Sequence, residues 1–144
     1  MNNGLAKAIL IGTVAGMRCF LAPAVLFRKA SASSDGCGLG GAVLDAAAAG
    51  ELIADKTSFI GKRTDAGPLI GRLVSGASCG AVVGRRNGCD ALPAAIAGGI
   101  AALISAHVFY LARREIGRST GMPEIALALA EDALAFGIAR EALK

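Results

Sequence analysis

Five apolar stretches, separated by short polar or charged segments, run along the chain. They cover residues 5–27, 41–56, 67–84, 91–112 and 124–139. A helix needs about 20 apolar residues to cross a bilayer, and residues 91–112 reach that length with no charged side chain, His107 apart. The pattern predicts an all-α protein: a polytopic membrane bundle of four or five short, Gly- and Ala-rich helices, forming one integral membrane domain over residues 1–144.

The first two stretches are the least regular. Arg18 is the only charged residue between Ala8 and Phe27, and Pro23 is expected to kink the helix near its end. Because no clean cleavage site ends this run, it is predicted to be a retained first span. Residues 41–56 are short and contain acids, so a partial span, a re-entrant helix and an interfacial helix all stay open.

Composition favours a membrane bundle over a water-soluble core. Charged residues make up 18% of the chain and apolar residues 54%, whereas soluble domains carry about 25% charged residues. The 20 glycines and abundant alanines suit membrane helices, which associate through close backbone approach. An Ala-rich soluble helical protein is the alternative interpretation.

The net charge of +4 comes from pairs of basic residues between the apolar stretches. This placement is typical of membrane flanks near anionic headgroups and not of a nucleic-acid-binding face. The four cysteines and single histidine lack metal-site spacing. Cys19 and Cys79 are expected to be packing residues, and Cys37 and Cys89 to be loop thiols, with a disulfide between them as the alternative. No hydrolase, phosphate-loop or zinc-protease motif is present, so no enzymatic activity and no cofactor are predicted.

Small residues spaced by four are expected to form helix-packing faces, since glycines at this interval share one side of a helix. Intrachain packing is the favoured interpretation and a homodimer interface is the alternative. The glycines concerned are Gly12, Gly16, Gly71, Gly76, Gly80, Gly84 and Gly98.

Charged residues inside the apolar stretches are the candidate functional residues. A charge at the bilayer centre costs about 3 kcal/mol, so these side chains are expected to face one another or water. Acids outnumber arginines among them, which favours a proton or cation site; a network that only fixes helix register is the alternative. His107 is expected to be packed or interfacial, with a proton relay as its other interpretation. The candidates are Arg18, Glu51, Asp55, Lys56, Arg72, Glu131 and Asp132.

Four sequence blocks resemble one known family. GTVAGMRCFLAPA, AGELIADK, GPLIGRLVSGASCGA and AEDALAFG look like the small bacterial membrane family catalogued as domain of unknown function 4126. The loop TSFIGKRTDAG departs from that pattern, having Ser and Gly where prolines are expected. The resemblance implies a multi-pass protein of the bacterial inner membrane and implies no activity. The matching positions are Gly16, Arg18, Pro23, Glu51, Asp55, Lys56, Gly71, Arg72, Gly76, Glu131 and Asp132.

Two functions fit these features. The first is a small proton- or cation-coupled transporter or channel that uses the Arg–carboxylate cluster, with a proton, a cation or a small anion as ligand. The second is a structural or accessory membrane subunit whose charges fix helix packing. An intramembrane enzyme acting on lipid fits least, because no nucleophile or metal set stands out. The expected partners are membrane lipids and a second copy of the chain, and no nucleic acid.

Overall fold

The computed structural model describes residues 3–31, Ala46, Gly50 and residues 66–143, and these parts of the chain are helical with short turns and contain no strand. The all-α prediction is therefore confirmed for the described residues. Within residues 3–31 and 66–143 the chain forms five helices: α1 (Asn3–Met17), α2 (Leu21–Ser31), α3 (Ala66–Arg86), α4 (Ala91–Thr120) and α5 (Glu124–Ala142).

The predicted continuous helix over residues 5–27 is wrong, because the chain breaks at residues 18–20 and starts a second helix. Pro23 explains the break. It has no N–H to donate to the carbonyl of Cys19, and in a continuous helix its ring would collide with that carbonyl. The hydroxyl of Ser75 on α3 donates to the Cys19 oxygen instead, at 2.6 Å. Pro23 thus lies in the first turn of α2, where it is tolerated, and does not kink a longer helix.

The centre of the bundle is formed by α1, α3 and α4, which meet at Gly98. A Cβ atom built at Gly98 would meet the backbone of Gly76 and Gly80 on one side and the carbonyl of Ala8 on the other. Helices α1 and α4 run parallel, because the Ser105 hydroxyl, further along α4, donates to the Thr13 carbonyl at 2.8 Å. Helix α3 runs antiparallel to both.

Helices α2 and α5 complete the bundle and both run antiparallel to α1. We call one end of the bundle the basal end. It contains the N-terminal half of α1, the start of α4 and the ends of α2, α3 and α5. There the Lys7 side chain donates a hydrogen bond to the Asn87 side chain at 3.0 Å. At the other end, which we call the hairpin end, residues 121–123 join α4 to α5. Gly121 has φ = 64°, and its N–H bonds the Gly117 carbonyl in a left-handed helix cap.

In the described residues, the surface between the two ends is largely apolar, with Ser78 and His107 as exposed polar side chains. The described exposed charges are confined to the ends: Arg28, Lys29, Arg85, Arg86, Asp90, Arg140 and Glu141 at the basal end, and Arg114, Glu115 and Arg118 at the hairpin end. Between them α4 exposes one aliphatic stripe, with Ile104 59% exposed. We call it the α4 stripe: Leu92, Ile96, Ile100, Ile104, Val108 and Leu111. Large apolar side chains outside and charged ones inside reverse the arrangement of a soluble domain.

Of the helices that the structure describes, one, α4, is long and apolar enough to cross a membrane, and α1 is apolar but shorter. The α4 helix continues to Thr120, beyond the predicted end at residue 112. The arginines after residue 112 end the apolar run but are good helix formers, so the helix stops only at Gly121. The predicted helix over residues 41–56 lies outside the described residues, apart from Ala46 and Gly50.

Candidate functional site

A buried ion pair joins α1 to α5. The Nε and Nη2 atoms of Arg18 lie 2.7 Å and 2.6 Å from the same carboxylate oxygen, Oδ1, of Asp132. The Arg18 side chain is 3% exposed and that of Asp132 is 14% exposed. Arg18 is at the break between α1 and α2, so the helix end places its long side chain against α5. The sequence predicted both residues as interior charges, and the structure joins them directly.

A second ion pair joins α5 to α4. Glu131 is buried, and its Oε2 atom lies 3.7 Å from Nη1 of Arg113. Neighbouring residues on a helix point about 100° apart, so Glu131 faces α4 while Asp132 faces α1. Two consecutive acids therefore attach α5 to two different helices. Since α5 makes few other contacts with α4, the Glu131–Arg113 pair is a main link between these helices.

Arg113 is the site residue that sequence reasoning missed, because it was interpreted as part of a charged flank after an apolar span. The sequence positions of Arg113 and Glu131 nevertheless indicate that the two residues can pair. Arg113 and Glu131 lie equally far before and after Met122, in the middle of the α4–α5 turn. An antiparallel helical hairpin with a short turn brings such positions level with each other.

The other candidate residues predicted from the sequence do not join this cluster in the described part of the chain. Arg72 is buried on α3, and among the described residues no ion pair links it to Glu131 or Asp132. His107 is exposed on α4, with its Nδ1 atom 2.9 Å from the Leu103 carbonyl. Glu51, Asp55 and Lys56 lie outside the described residues.

The predicted packing glycines lie between helices of the same chain. Cβ atoms at Gly12 and Gly16 would meet the α4 backbone, and those at Gly76 and Gly80 would meet α4 backbone atoms at 2.6–2.7 Å. Gly84 lies against the Ala94 side chain. Gly71 is less tightly placed, because its nearest neighbour would be the Cys19 sulfur at 3.4 Å. These contacts are intrachain, so a dimer interface would have to use other residues.

The cysteines give no metal or disulfide site in the described residues. Cys79 is buried in the core, and Cys89 is a free thiol in the α3–α4 turn. Cys37 lies outside the described residues. No group of three or more potential metal-ligating side chains was found within residues 3–31 and 66–143.

The described part of the cluster pairs two acids with two arginines: Asp132 with Arg18, and Glu131 with Arg113. Arg18, Glu131 and Arg113 also take part in further interactions. Arg113 is 22% exposed, which connects the cluster to the outside near the hairpin end. Protonation of either acid would weaken one of the two ion pairs that hold α5.

Comparisons with protein-family models, with curated proteins and with solved structures give no match to this chain. The argument for its function therefore depends on the fold and on the geometry of the cluster.

Proposed function

We propose that the protein is a multi-pass protein of the bacterial inner membrane and a member of the family that its sequence blocks resemble. The single observation that carries this proposal is the reversed distribution of polarity. Arg18, Arg72 and Glu131 are buried, while the α4 stripe faces outward. In water this arrangement would expose a large apolar surface, whereas in a bilayer it satisfies both sets of side chains.

Within that membrane protein, we propose that the cluster moves a proton or a small cation. Asp132 and Glu131 are the exchanging groups, and Arg18 and Arg113 are their counter-ions. When a carboxylate takes up a proton or a cation, its ion pair with the arginine weakens, and α5 shifts relative to α1 or α4. Because α5 makes few contacts with α4, its position relative to α4 can respond to the Glu131–Arg113 pair. Ion occupancy is thereby coupled to the position of α5.

The flux test follows from this assignment. Purified protein in liposomes is expected to carry a proton or cation flux above that of empty liposomes, measured with an internal pH or cation dye. Asp132→Asn and Glu131→Gln each remove an exchanging carboxylate, so their flux is expected to fall to the level of empty liposomes. Glu115→Gln, an exposed acid outside the cluster, is the matched control and should retain flux. Thermal melting in detergent identifies variants that fail to fold.

An accessory or structural subunit is the second candidate, and the short Arg18–Asp132 contact favours it. A fixed pair at the break between α1 and α2 would set the register of α5. This candidate predicts no flux from the wild-type protein, whereas both candidates predict a lower melting temperature for Asp132→Asn. Flux in the wild-type protein that is lost in a folded Glu131→Gln variant would contradict it.

A further inference from the structure

The basal end contains a second polar site, separate from the buried cluster. A cavity of about 210 Å³ lies between α1, α2, α3 and α5. Its polar lining consists of Lys7, Lys29, Arg86 and Asn87, and its apolar lining includes Leu26 and Val83. Three cations from three helices thus surround one cavity, and none of its described lining residues is an acid.

Helix-end electrostatics account for only part of this arrangement. Lys29 and Arg86 lie in the last turns of α2 and α3, where cations interact favourably with the helix dipole. Lys7 lies near the start of α1, where the same dipole disfavours a cation. It is held there by the side-chain oxygen of Asn87, whose amide nitrogen donates to the Val83 carbonyl at 2.8 Å. Lys7 is therefore positioned at the cavity by a specific contact that the helix dipole does not explain.

The level of the cavity in the membrane indicates which kind of ligand it binds. The α4 stripe begins at Leu92, directly after the turn that contains Asn87. In the membrane placement proposed above, on which this step rests, the cavity lies at the level of the lipid headgroups. Leu26 and Val83 are buried beside the cations, so the cavity pairs positive charge with apolar walls. Basic pockets between helices at this level are suited to anionic headgroups.

We propose that this cavity binds the phosphate group of an anionic phospholipid. Lys7, Lys29 and Arg86 neutralise the phosphate, and the apolar walls contact the first carbons of the acyl chains. The same chemistry would also accept free phosphate, so the experiment must separate the two sources.

The test uses the full chain, freed of lipid in a neutral detergent. Native mass spectrometry measures the binding of phosphatidylglycerol, phosphatidylcholine and inorganic phosphate. Lys7→Gln, Lys29→Gln and Arg86→Gln are combined in one variant. The matched control combines Arg28→Gln, Arg85→Gln and Arg140→Gln, which removes the same charge from the basal end without touching the cavity lining. The double variant Lys29→Gln/Arg86→Gln retains the Lys7–Asn87 hydrogen bond. It replaces the triple variant in the binding measurement if the triple variant has a lower melting temperature than the wild type.

Phosphatidylglycerol is expected to bind the wild type in preference to phosphatidylcholine. The cavity variant should lose about tenfold or more in affinity, and the control less than about threefold. Equal losses in the two variants would overturn the site, because they would show a diffuse surface attraction. Inorganic phosphate binding as tightly as the lipid would overturn the lipid assignment. Purification as a soluble protein without detergent would instead contradict the membrane placement itself.

Discussion

Replacing Asp132 with asparagine is expected to destabilise the folded protein by about 3 kcal/mol, because it removes a carboxylate that lies against the buried guanidinium of Arg18. Arg18→Ala should cost at least as much, since Arg18 takes part in interactions beyond this pair. The free energy of unfolding can be measured by SDS titration of the protein in mixed lipid–detergent micelles. Arg140→Ala, an exposed residue on the same helix, should change it by less than about 0.5 kcal/mol.

The double variant Arg18→Met/Asp132→Leu tests whether Arg18 and Asp132 stabilise the protein through their contact with each other or independently. Removing both charges leaves neither member of this pair without the other, and apolar replacements of buried pairs are often nearly neutral. We therefore expect the double variant to be more stable than either single variant. If the loss of unfolding free energy in the double variant equalled the sum of the losses in the two single variants, Arg18 and Asp132 would act independently, contrary to the contact in the structure.

The substitution Gly98→Ala is expected to destabilise the bundle by about 3 kcal/mol, because overpacking a close contact forces neighbouring groups apart. The added Cβ would meet the backbone of α3 at Gly76 and Gly80 and approach the α1 carbonyl of Ala8. These are backbone atoms on both sides, so no flexible side chain can move away. The melting temperature in detergent reports the loss.

Gly137→Ala is the same chemical change in a different environment. Gly137 lies in α5, and a Cβ built there has no neighbour within 4 Å. Alanine is the better helix former by up to about 1 kcal/mol, so this variant should be as stable as the wild type or more so. If both glycine variants lowered the melting temperature equally, close packing at Gly98 would not be the reason.

The hydrophobic pattern predicts the bounds of α3 and α5 well, but it misses the break after α1 and the end of α4. The predicted helices over residues 67–84 and 124–139 differ from α3 and α5 by at most three residues at either end. These stretches have clear boundaries in Gly121, Pro123 and the polar α3–α4 turn. The break near Arg18 leaves no trace in hydropathy, because residues 19–27 are as apolar as those before them. Pro23 was the available signal, and it marks the start of α2.

The buried cluster was predictable as a set of residues but not as a set of pairs. The high cost of charge in an apolar helix selects Arg18, Glu131 and Asp132 from sequence alone. The choice of partners depends on which helices are adjacent and how they are staggered, and single-sequence patterns do not contain that information. Arg113 was missed because a charge after an apolar run is normally a membrane flank.

The most direct test of the account is the surroundings of the α4 stripe in a lipid bilayer. Nitroxide labels at Ile96, Ile100 and Ile104 can be placed one at a time in a variant whose cysteines are replaced by alanine. Electron paramagnetic resonance then measures label collisions with oxygen, which dissolves in lipid, and with a water-soluble nickel chelate. The account predicts frequent oxygen collisions and few nickel collisions at all three positions. Frequent nickel collisions at these positions would contradict it, since the stripe would then face water.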